Sequence, residues 1–230
     1  MEILKNNKTA LVFGASGLVG GHLLEDLAQN ENYQKVKSFG RRKLGVNDGK
    51  TEEIVIDFNN MSESGHLIKG NDVFICLGTT IKAAGSQEAF RKVDFEYVYQ
   101  AAQIAVQNGA SQILLVSSAG ADANSSIFYN KVKGEIEDAI KQMPFWAVRI
   151  FQPSLLLGDR EKKRFTEEIG QSIGRFLNRF TTDLFDLYQP VEAENVARAM
   201  VVAAQELEGG EKVYQSHVIR KMGERSLLLT

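Results

Sequence analysis

The sequence contains one cysteine, Cys76, and only three prolines among its 230 residues. A single cysteine excludes an internal disulfide, and with it the disulfide-stabilised class of secreted proteins, which predicts a reducing, cytoplasmic location. The three histidines, His22, His66 and His217, lie far apart in the sequence, and no group of cysteines and histidines has the spacing of a zinc site. We therefore predict that the protein has no metal site.

Long hydrophobic runs and an excess of one charge are also absent. No apolar run approaches the ~18 residues that a membrane-spanning helix needs, and residues 1–9 lack the apolar segment of a signal peptide. The chain has 27 Lys and Arg residues against 29 Asp and Glu residues, a net charge of -2. The missing apolar run predicts no insertion into a membrane. Because binding to a phosphate backbone needs a basic excess, the charge balance predicts no nucleic-acid partner.

The rest of the composition is that of an ordinary globular protein, with 43% hydrophobic and 24% charged residues. A prior of ~150 residues per domain favours one domain over residues 1–230. Short apolar runs alternate with helical patterns, as in buried parallel strands that are covered by helices on both faces. The predicted strands are 9–13, 36–40, 53–57, 72–76, 112–116 and 145–150. This alternation predicts an α/β fold with a doubly wound parallel sheet.

The alternation stops after Ile150, where we predict a small C-terminal cap within about residues 151–190, followed by a last edge strand at Lys212–Ser216. Apolar residues recur at helical spacing inside the cap. They are Phe165, Ile169, Ile173, Phe176, Leu177 and Phe180. Three interpretations stay open: a cap helix packed on the domain, the interface of a homodimer, or a helix lying on a membrane surface, which the acidic Glu161, Glu167 and Glu168 disfavour.

A glycine-rich segment, Gly14-Ala-Ser-Gly-Leu-Val-Gly20, lies between the first strand and the first helix. Glycine permits a tight turn and the close approach of the backbone to a pyrophosphate, and the helix N-terminus presents free N–H groups to that anion. The segment therefore predicts a Rossmann-type domain that binds NAD(P). Its candidate cofactor-binding residues are Gly14, Ser16, Gly17, Leu18, Val19 and Gly20.

The end of the second strand indicates which nicotinamide cofactor is bound. An acidic residue there would bind the ribose 2′-hydroxyl of NAD, but this chain has Arg41 and Arg42 after Gly40. Two guanidinium groups suit a 2′-phosphate, so we predict NADP(H), the alternative being a pair of solvated loop arginines. Asp57, after the third strand, has two open interpretations: a contact with the adenine amino group, or the cap of a turn.

A tyrosine and a lysine four residues apart, Tyr129 and Lys133, share one face of the helix after the fifth strand. Tyr33 and Lys37 have the same spacing, but they precede the second strand, and we interpret them as a chance match. The serines 117–118 lie where the fifth strand ends. Ligands bind at the carboxyl ends of such strands, so this tyrosine, lysine and serine pair form a candidate catalytic group.

Seven motifs together carry a family resemblance. They are GASGLVG at 14–20, GRR at 40–42, CLGTT at 76–80, VDFEYV at 93–98, SSAGAD at 117–122, YNKVKGEIE at 129–137 and QPSLLLGDR at 152–160. With these motifs the chain resembles the atypical or extended short-chain dehydrogenases/reductases, and among them the Tat-interacting-protein oxidoreductases, over roughly residues 8–205.

The resemblance implies an NADP(H)-dependent oxidoreductase with a small-molecule substrate, a carbonyl or an alcohol, on which it acts by hydride transfer. Tyr129 would be the acid/base group, and Lys133 would lower its pKa and hold the nicotinamide ribose. Ser118 would bind the substrate oxygen, with Ser117 as the alternative. The cofactor would also contact two residues that follow the fourth strand, Gly78 and Thr79.

The resemblance has two departures. The pattern predicts one long helix over about residues 86–108, and the family usually has Asn where this helix carries Asp94. The family also has an Arg-Pro pair where this chain has Gln152-Pro153. A proton relay through the long helix and the contact of that arginine are therefore not implied here. Other functions stay open. They are an NADPH-binding sensor with little turnover, a sugar-nucleotide epimerase or dehydratase, which the short cap disfavours, and a flavin- or quinone-type reductase, which would need no tyrosine–lysine pair.

Overall fold

A seven-stranded parallel sheet forms the centre of the molecule in the computed structural model, which describes residues 7–158 and 189–226. The strands lie in the order β3-β2-β1-β4-β5-β6-β9, and every neighbouring pair is parallel. They are β1 Lys8–Phe13, β2 Tyr33–Gly40, β3 Thr51–Val55, β4 Asp72–Ile75, β5 Gln112–Val116, β6 Ala147–Gln152 and β9 Gly210–Gln215. The short strands β7 Leu156–Leu157 and β8 Val191–Glu192 pair separately.

Helices connect the strands and cover both faces of the sheet. They are α1 Leu18–Gln29, α2 Ile81–Ala84, α3 Gln87–Arg91, α4 Tyr97–Gln107, α5 Phe128–Lys141, α6 Ala193–Ala203 and α7 Ser216–Ser226. A 3₁₀ helix spans Phe58–Leu67, and a π-helical turn at Lys92–Glu96 joins α3 to α4. Within the described residues, no helix is long and apolar enough to cross a membrane.

The sheet has a hydrophobic core on each face, as continuous apolar strands predict. One core joins the sheet to α1 and α6 through residues such as Leu23, Leu27 and Met200. The other joins it to the 3₁₀ helix, α4 and α5 through residues such as Met61 and Ile136. The predicted doubly wound α/β fold is therefore confirmed.

Most predicted strands are found within two or three residues of their predicted bounds. The last edge strand is confirmed as β9, which lies beside β6. Two of the earlier starts matter for the predicted residues: β3 spans Thr51–Val55, so Asp57 lies beyond it, and β2 begins at Tyr33. Tyr33 and Lys37 therefore lie in a strand, where the four-residue spacing does not put two side chains on one helical face.

The order of the strands reverses between β1 and β4: strands β2 and β3 lie on one side of this pair, and β5, β6 and β9 lie on the other. A crevice opens outside the carboxyl ends of the strands at such a point, and ligands of doubly wound folds bind there. Residues 159–188, which include the amphipathic stretch of the predicted cap, lie outside the described residues. After these residues, helix α6 packs on α1.

Candidate functional site

The turn between β1 and α1 depends on glycine at two positions. Gly14 has φ +92°, and a Cβ atom there would lie 2.6 Å from the carbonyl carbon of Cys76 in the neighbouring chain segment. A Cβ atom on Gly20 would lie 2.2 Å from the carbonyl oxygen of Gly14. The first glycine thus allows the turn, and the last allows α1 to pack directly on it, as in dinucleotide-binding loops.

The N-terminus of α1 is open toward the crevice. Gly17 is its N-cap residue, no side chain caps the helix, and the first turn has no acidic residue. The first N–H groups of the helix and the positive end of its dipole therefore stay available to an anion.

A cavity of about 860 Å³ lies at this end of the sheet. Its walls come from the glycine-rich turn, from the end of β2 and from the segment after β4. Of the predicted cofactor-binding residues, it is lined by Gly14, Ser16, Gly17, Arg41, Arg42, Gly78 and Thr79. Three aromatic side chains that the sequence did not single out, Phe39, Phe58 and Tyr97, also line it. We call this cavity the cofactor cleft, because a glycine cradle, an open helix end and two guanidiniums fit a dinucleotide phosphate.

The other predicted cofactor-binding residues lie elsewhere. Val19 is buried in the core, and Leu18 lines an adjacent cavity between α1 and the 42–48 loop. Asp57 is the N-cap of the 3₁₀ helix and accepts a hydrogen bond from the Asn59 N–H at 2.9 Å. Of its two open interpretations, the structure therefore shows the capping role.

Lys133 lies beside the cofactor cleft in a buried ion pair. Its Nζ is 2.7 Å from Oδ1 of Asp94, and the two side chains are only 6% and 0% exposed. The Thr79 N–H donates to the other carboxylate oxygen at 2.9 Å, so Asp94 joins the lysine to the wall of the cleft. Burial lowers the pKa of Lys133, but the attractions of Asp94 and Tyr129 outweigh it and hold the pKa above its ordinary value.

Tyr129 lies one helical turn before Lys133 on α5 and is half-buried. Its ring packs on Phe90 with 5.3 Å between the ring centroids. Ser117 and Ser118 follow β5, and both hydroxyls are buried without a hydrogen-bond partner of ordinary geometry among the described residues. The structure thus places a buried hydroxyl without a hydrogen-bond partner among the described residues, that of Ser118, at the strand end where we predicted the substrate-binding serine.

A buried carboxylate that the sequence did not single out lies further along α5. Glu137 accepts hydrogen bonds at 3.0 Å on both oxygens from the Gln152 side-chain amide. Burial raises its pKa above the ordinary value, against the lowering influence of Ser117 and Gln152. Gln152, at a position where the resemblance implies arginine, therefore binds a side chain of α5.

Comparison with known proteins agrees with the prediction that the chain binds NAD(P). A family model described as NAD(P)H-binding matches residues 14–149. The rat protein HTATIP2 is 38% identical over 162 residues, 69% of this chain and 66% of its own length. A Candida glabrata protein named "Protein FMP52, mitochondrial" is 36% identical over 228 residues, 97% of this chain and 95% of its own.

Solved structures share the fold at low sequence identity. MoeE5 in complex with UDP-glucose and NAD has a TM-score of 0.68 at 18% identity, with 96% of this chain and 82% of that chain covered. A short-chain dehydrogenase/reductase superfamily protein from Agrobacterium tumefaciens with bound NAD has a TM-score of 0.67 at 14% identity, with 90% and 77% covered. These likenesses show the Rossmann-type fold.

The predicted cytoplasmic location is wrong on this comparison. Relatives from three yeasts, which are 31% to 36% identical and cover 88% to 97% of this chain, are named as mitochondrial proteins. The prediction came from the cysteine count, which excludes disulfide-rich compartments and does not separate the cytoplasm from an organelle without such disulfides.

Proposed function

Because the chain belongs to the NAD(P)H-binding family of atypical short-chain dehydrogenases/reductases, we propose that it is an NADP(H)-dependent oxidoreductase that acts on a carbonyl or an alcohol. The observation that carries the proposal is the buried Lys133–Asp94 pair, which places an ammonium group beside the cofactor cleft and one helical turn from Tyr129. A bound nicotinamide would supply or accept the hydride. The protein's own side chains would bind and orient the cofactor and the substrate, and they would move the proton.

The glycine-rich turn and the α1 N-terminus would hold the pyrophosphate, because their backbone approaches closely and their N–H groups are free. Arg41 and Arg42 would bind a 2′-phosphate by charge-assisted hydrogen bonds. Phe39 and Phe58 would contribute apolar contacts in the same cleft. These roles use side chains that already line one cavity.

Tyr129 would donate a proton to the carbonyl oxygen in reduction and remove it in oxidation. A phenol with an ordinary pKa of ~10 needs a nearby positive charge to serve near neutral pH. Lys133 supplies that charge, and it remains an ammonium at neutral pH because its pKa is raised. The Ser118 hydroxyl would bind the substrate oxygen, since it is buried and has no hydrogen-bond partner among the described residues. Ser117, whose hydroxyl lowers the pKa of the Glu137 carboxyl, is the alternative.

The substrate pocket would be completed by a cap from within about residues 151–190, in a single domain over residues 1–230. Two observations agree with this arrangement: β7 and β8, which flank residues 159–188, pair with each other, and α6 then returns to pack on α1. The cap would therefore begin and end at one place on the domain.

Cofactor choice tests the binding half of the proposal. Titration with NADPH and NADH, followed by fluorescence or calorimetry, should show tighter binding of NADPH, and Arg41→Ala should remove most of the difference. One charge-assisted phosphate contact corresponds to ~10- to 100-fold in affinity. Lys43→Ala is the matched control, because Lys43 lines the adjacent cavity with Arg42 and is not among the described residues lining the cofactor cleft. Equal affinities of the wild type for the two cofactors would contradict the proposal.

A further inference from the structure

The loop that follows Arg41 and Arg42 is held by a carboxylate from the next strand. Glu53 of β3 accepts hydrogen bonds from three consecutive backbone N–H groups, those of Leu44, Gly45 and Val46. The Gly45 and Val46 bonds measure 2.9 and 3.1 Å and reach the same oxygen, while Leu44 donates to the other oxygen. One side chain thus fixes the backbone of three successive loop residues.

The loop conformation suits this contact. Gly45 has φ +81°, and a Cβ atom there would meet nothing within 4 Å, so the left-handed backbone is the reason for glycine at this position. Successive N–H groups that converge in this way form a concave anion-binding nest. In this protein the carboxylate of Glu53 occupies the nest. The hydrogen bonds from the loop, of which that from the Leu44 N–H has the largest effect, hold the pKa of Glu53 below its ordinary value.

Glu53 also lines the cofactor cleft, together with Arg41, Arg42 and Leu44. A free carboxylate there would repel an additional phosphate group. In this structure three N–H groups of the loop donate to the two oxygens of Glu53, and the positive ends of these N–H dipoles offset part of the carboxylate charge. The same contact fixes the chain two residues after Arg42, so it limits where the two guanidiniums can point.

We propose that Glu53 is a specificity-determining residue: by holding the Leu44–Val46 backbone, it positions Arg41 and Arg42 for the 2′-phosphate of NADP(H). The inference rests on the proposed cofactor, and it adds a positioning residue two strands away from the glycine-rich turn. Glu53 acts through the arginines and does not itself bind the phosphate.

Three variants test this role by titration with NADPH and NADH. Glu53→Gln removes the charge and replaces one acceptor oxygen with a donor. Glu53→Asp keeps the charge but shortens the side chain by one methylene, so it cannot reach all three N–H groups. Glu52→Gln is the matched control: Glu52 is the adjacent residue of β3, it pairs with Lys35 at 2.6 Å, and its side chain is 44% exposed.

Both Glu53 variants should bind NADPH about 10-fold more weakly, which corresponds to the loss of one well-placed phosphate contact. NADH affinity should stay within about twofold, since the pyrophosphate site on α1 is unchanged. Glu52→Gln should retain the wild-type ratio of the two affinities. A general loss of folding would lower both affinities and the melting temperature together, which separates it from the expected change.

Two results would overturn the inference alone, with the proposed cofactor intact. In the first, Arg41→Ala removes the NADPH preference while both Glu53 variants keep it. In the second, Glu53→Gln binds NADPH more tightly and Glu53→Asp binds it like the wild type, which would mean that Glu53 acts by repulsion. A wild type without any NADPH preference would overturn the inference and the cofactor assignment together.

Discussion

Lys133 is the residue on which the electrostatics of the candidate site depend. An ammonium group in a protein interior needs a partner, because the loss of its hydration is costly. Asp94 supplies that partner at 2.7 Å and is itself tied to the Thr79 N–H. The pair therefore keeps Lys133 charged and fixes its position against the wall of the cleft. An asparagine at this position would accept hydrogen bonds without supplying the charge.

Asp94→Asn should move the alkaline limb of the pH–activity profile to lower pH. Burial is the largest influence on the pKa of Lys133 and lowers it, and in this variant Asp94 no longer opposes it. The ammonium that assists Tyr129 would then be lost at a lower pH than in the wild type. Breaking a buried pair also costs about 3–5 kcal/mol of stability, so melting temperatures should be measured with the profiles.

Asp138→Asn is the control for this variant. Asp138 lies on α5 and pairs with Lys141, and its side chain is 56% exposed. The substitution makes the same chemical change as in Asp94→Asn, but exposed ion pairs contribute at most about 1 kcal/mol to stability. An alkaline limb that is the same in Asp94→Asn and in the wild type would show that Asp94 does not keep Lys133 protonated.

Helix α1 shows, at the scale of one element, how the cofactor cleft depends on close packing. Gly20 and Gly21 are adjacent, but their surroundings differ: a Cβ atom on Gly20 would lie 2.2 Å from a backbone oxygen, and one on Gly21 would have its nearest neighbour at 3.7 Å. Only the first position is therefore closed to a larger residue.

Gly20→Ala should destabilise the protein by roughly 1–3 kcal/mol, as expected for overpacking against backbone, and should weaken NADPH binding because α1 is pushed from the turn. Gly21→Ala should be neutral or stabilise by about 0.5–1 kcal/mol, since alanine is the better helix former. Thermal unfolding and NADPH titration of both variants provide the measurement. Equal effects of the two substitutions would contradict the packing argument.

The long helical segment between β4 and β5 contains the local feature that the sequence did not predict. The pattern predicted one helix over about residues 86–108, whereas the structure has α3, a π-helical turn at Lys92–Glu96 and α4. Asp94 lies in that turn and is buried. Hydrophobic periodicity reports the average helix and carries no signal for one wider turn. The pairing of Asp94 with Lys133 was therefore beyond sequence reasoning, although the motif that contains it was recognised.

At the scale of the whole molecule, the sheet was predictable because its strands are short, apolar and separated by helices. The glycine-rich turn was predictable because Gly14 and Gly20 are required by the backbone itself. Contacts made by side chains distant in sequence were not predictable. Glu53 was interpreted as the start of a strand, and its bonds to the 44–46 backbone depend on how a loop folds back over that strand. Gln152 and Glu137 meet only because β6 lies beside α5.

We propose that the protein reduces carbonyl groups with Tyr129 as the proton donor, a claim that can be tested by measuring NADPH oxidation against a panel of aldehydes, ketones and quinones. Turnover in Tyr129→Phe should fall by roughly 10²–10⁴-fold, the usual contribution of general acid–base catalysis. NADPH affinity should stay within a few-fold, because the phenol takes no part in holding the pyrophosphate. Tyr99→Phe, a control on α4 whose ring stacks on Phe95, should behave like the wild type. Turnover that survives Tyr129→Phe unchanged would contradict the claim, and a wild type that binds NADPH tightly but is inert across the panel would favour a cofactor-binding sensor instead.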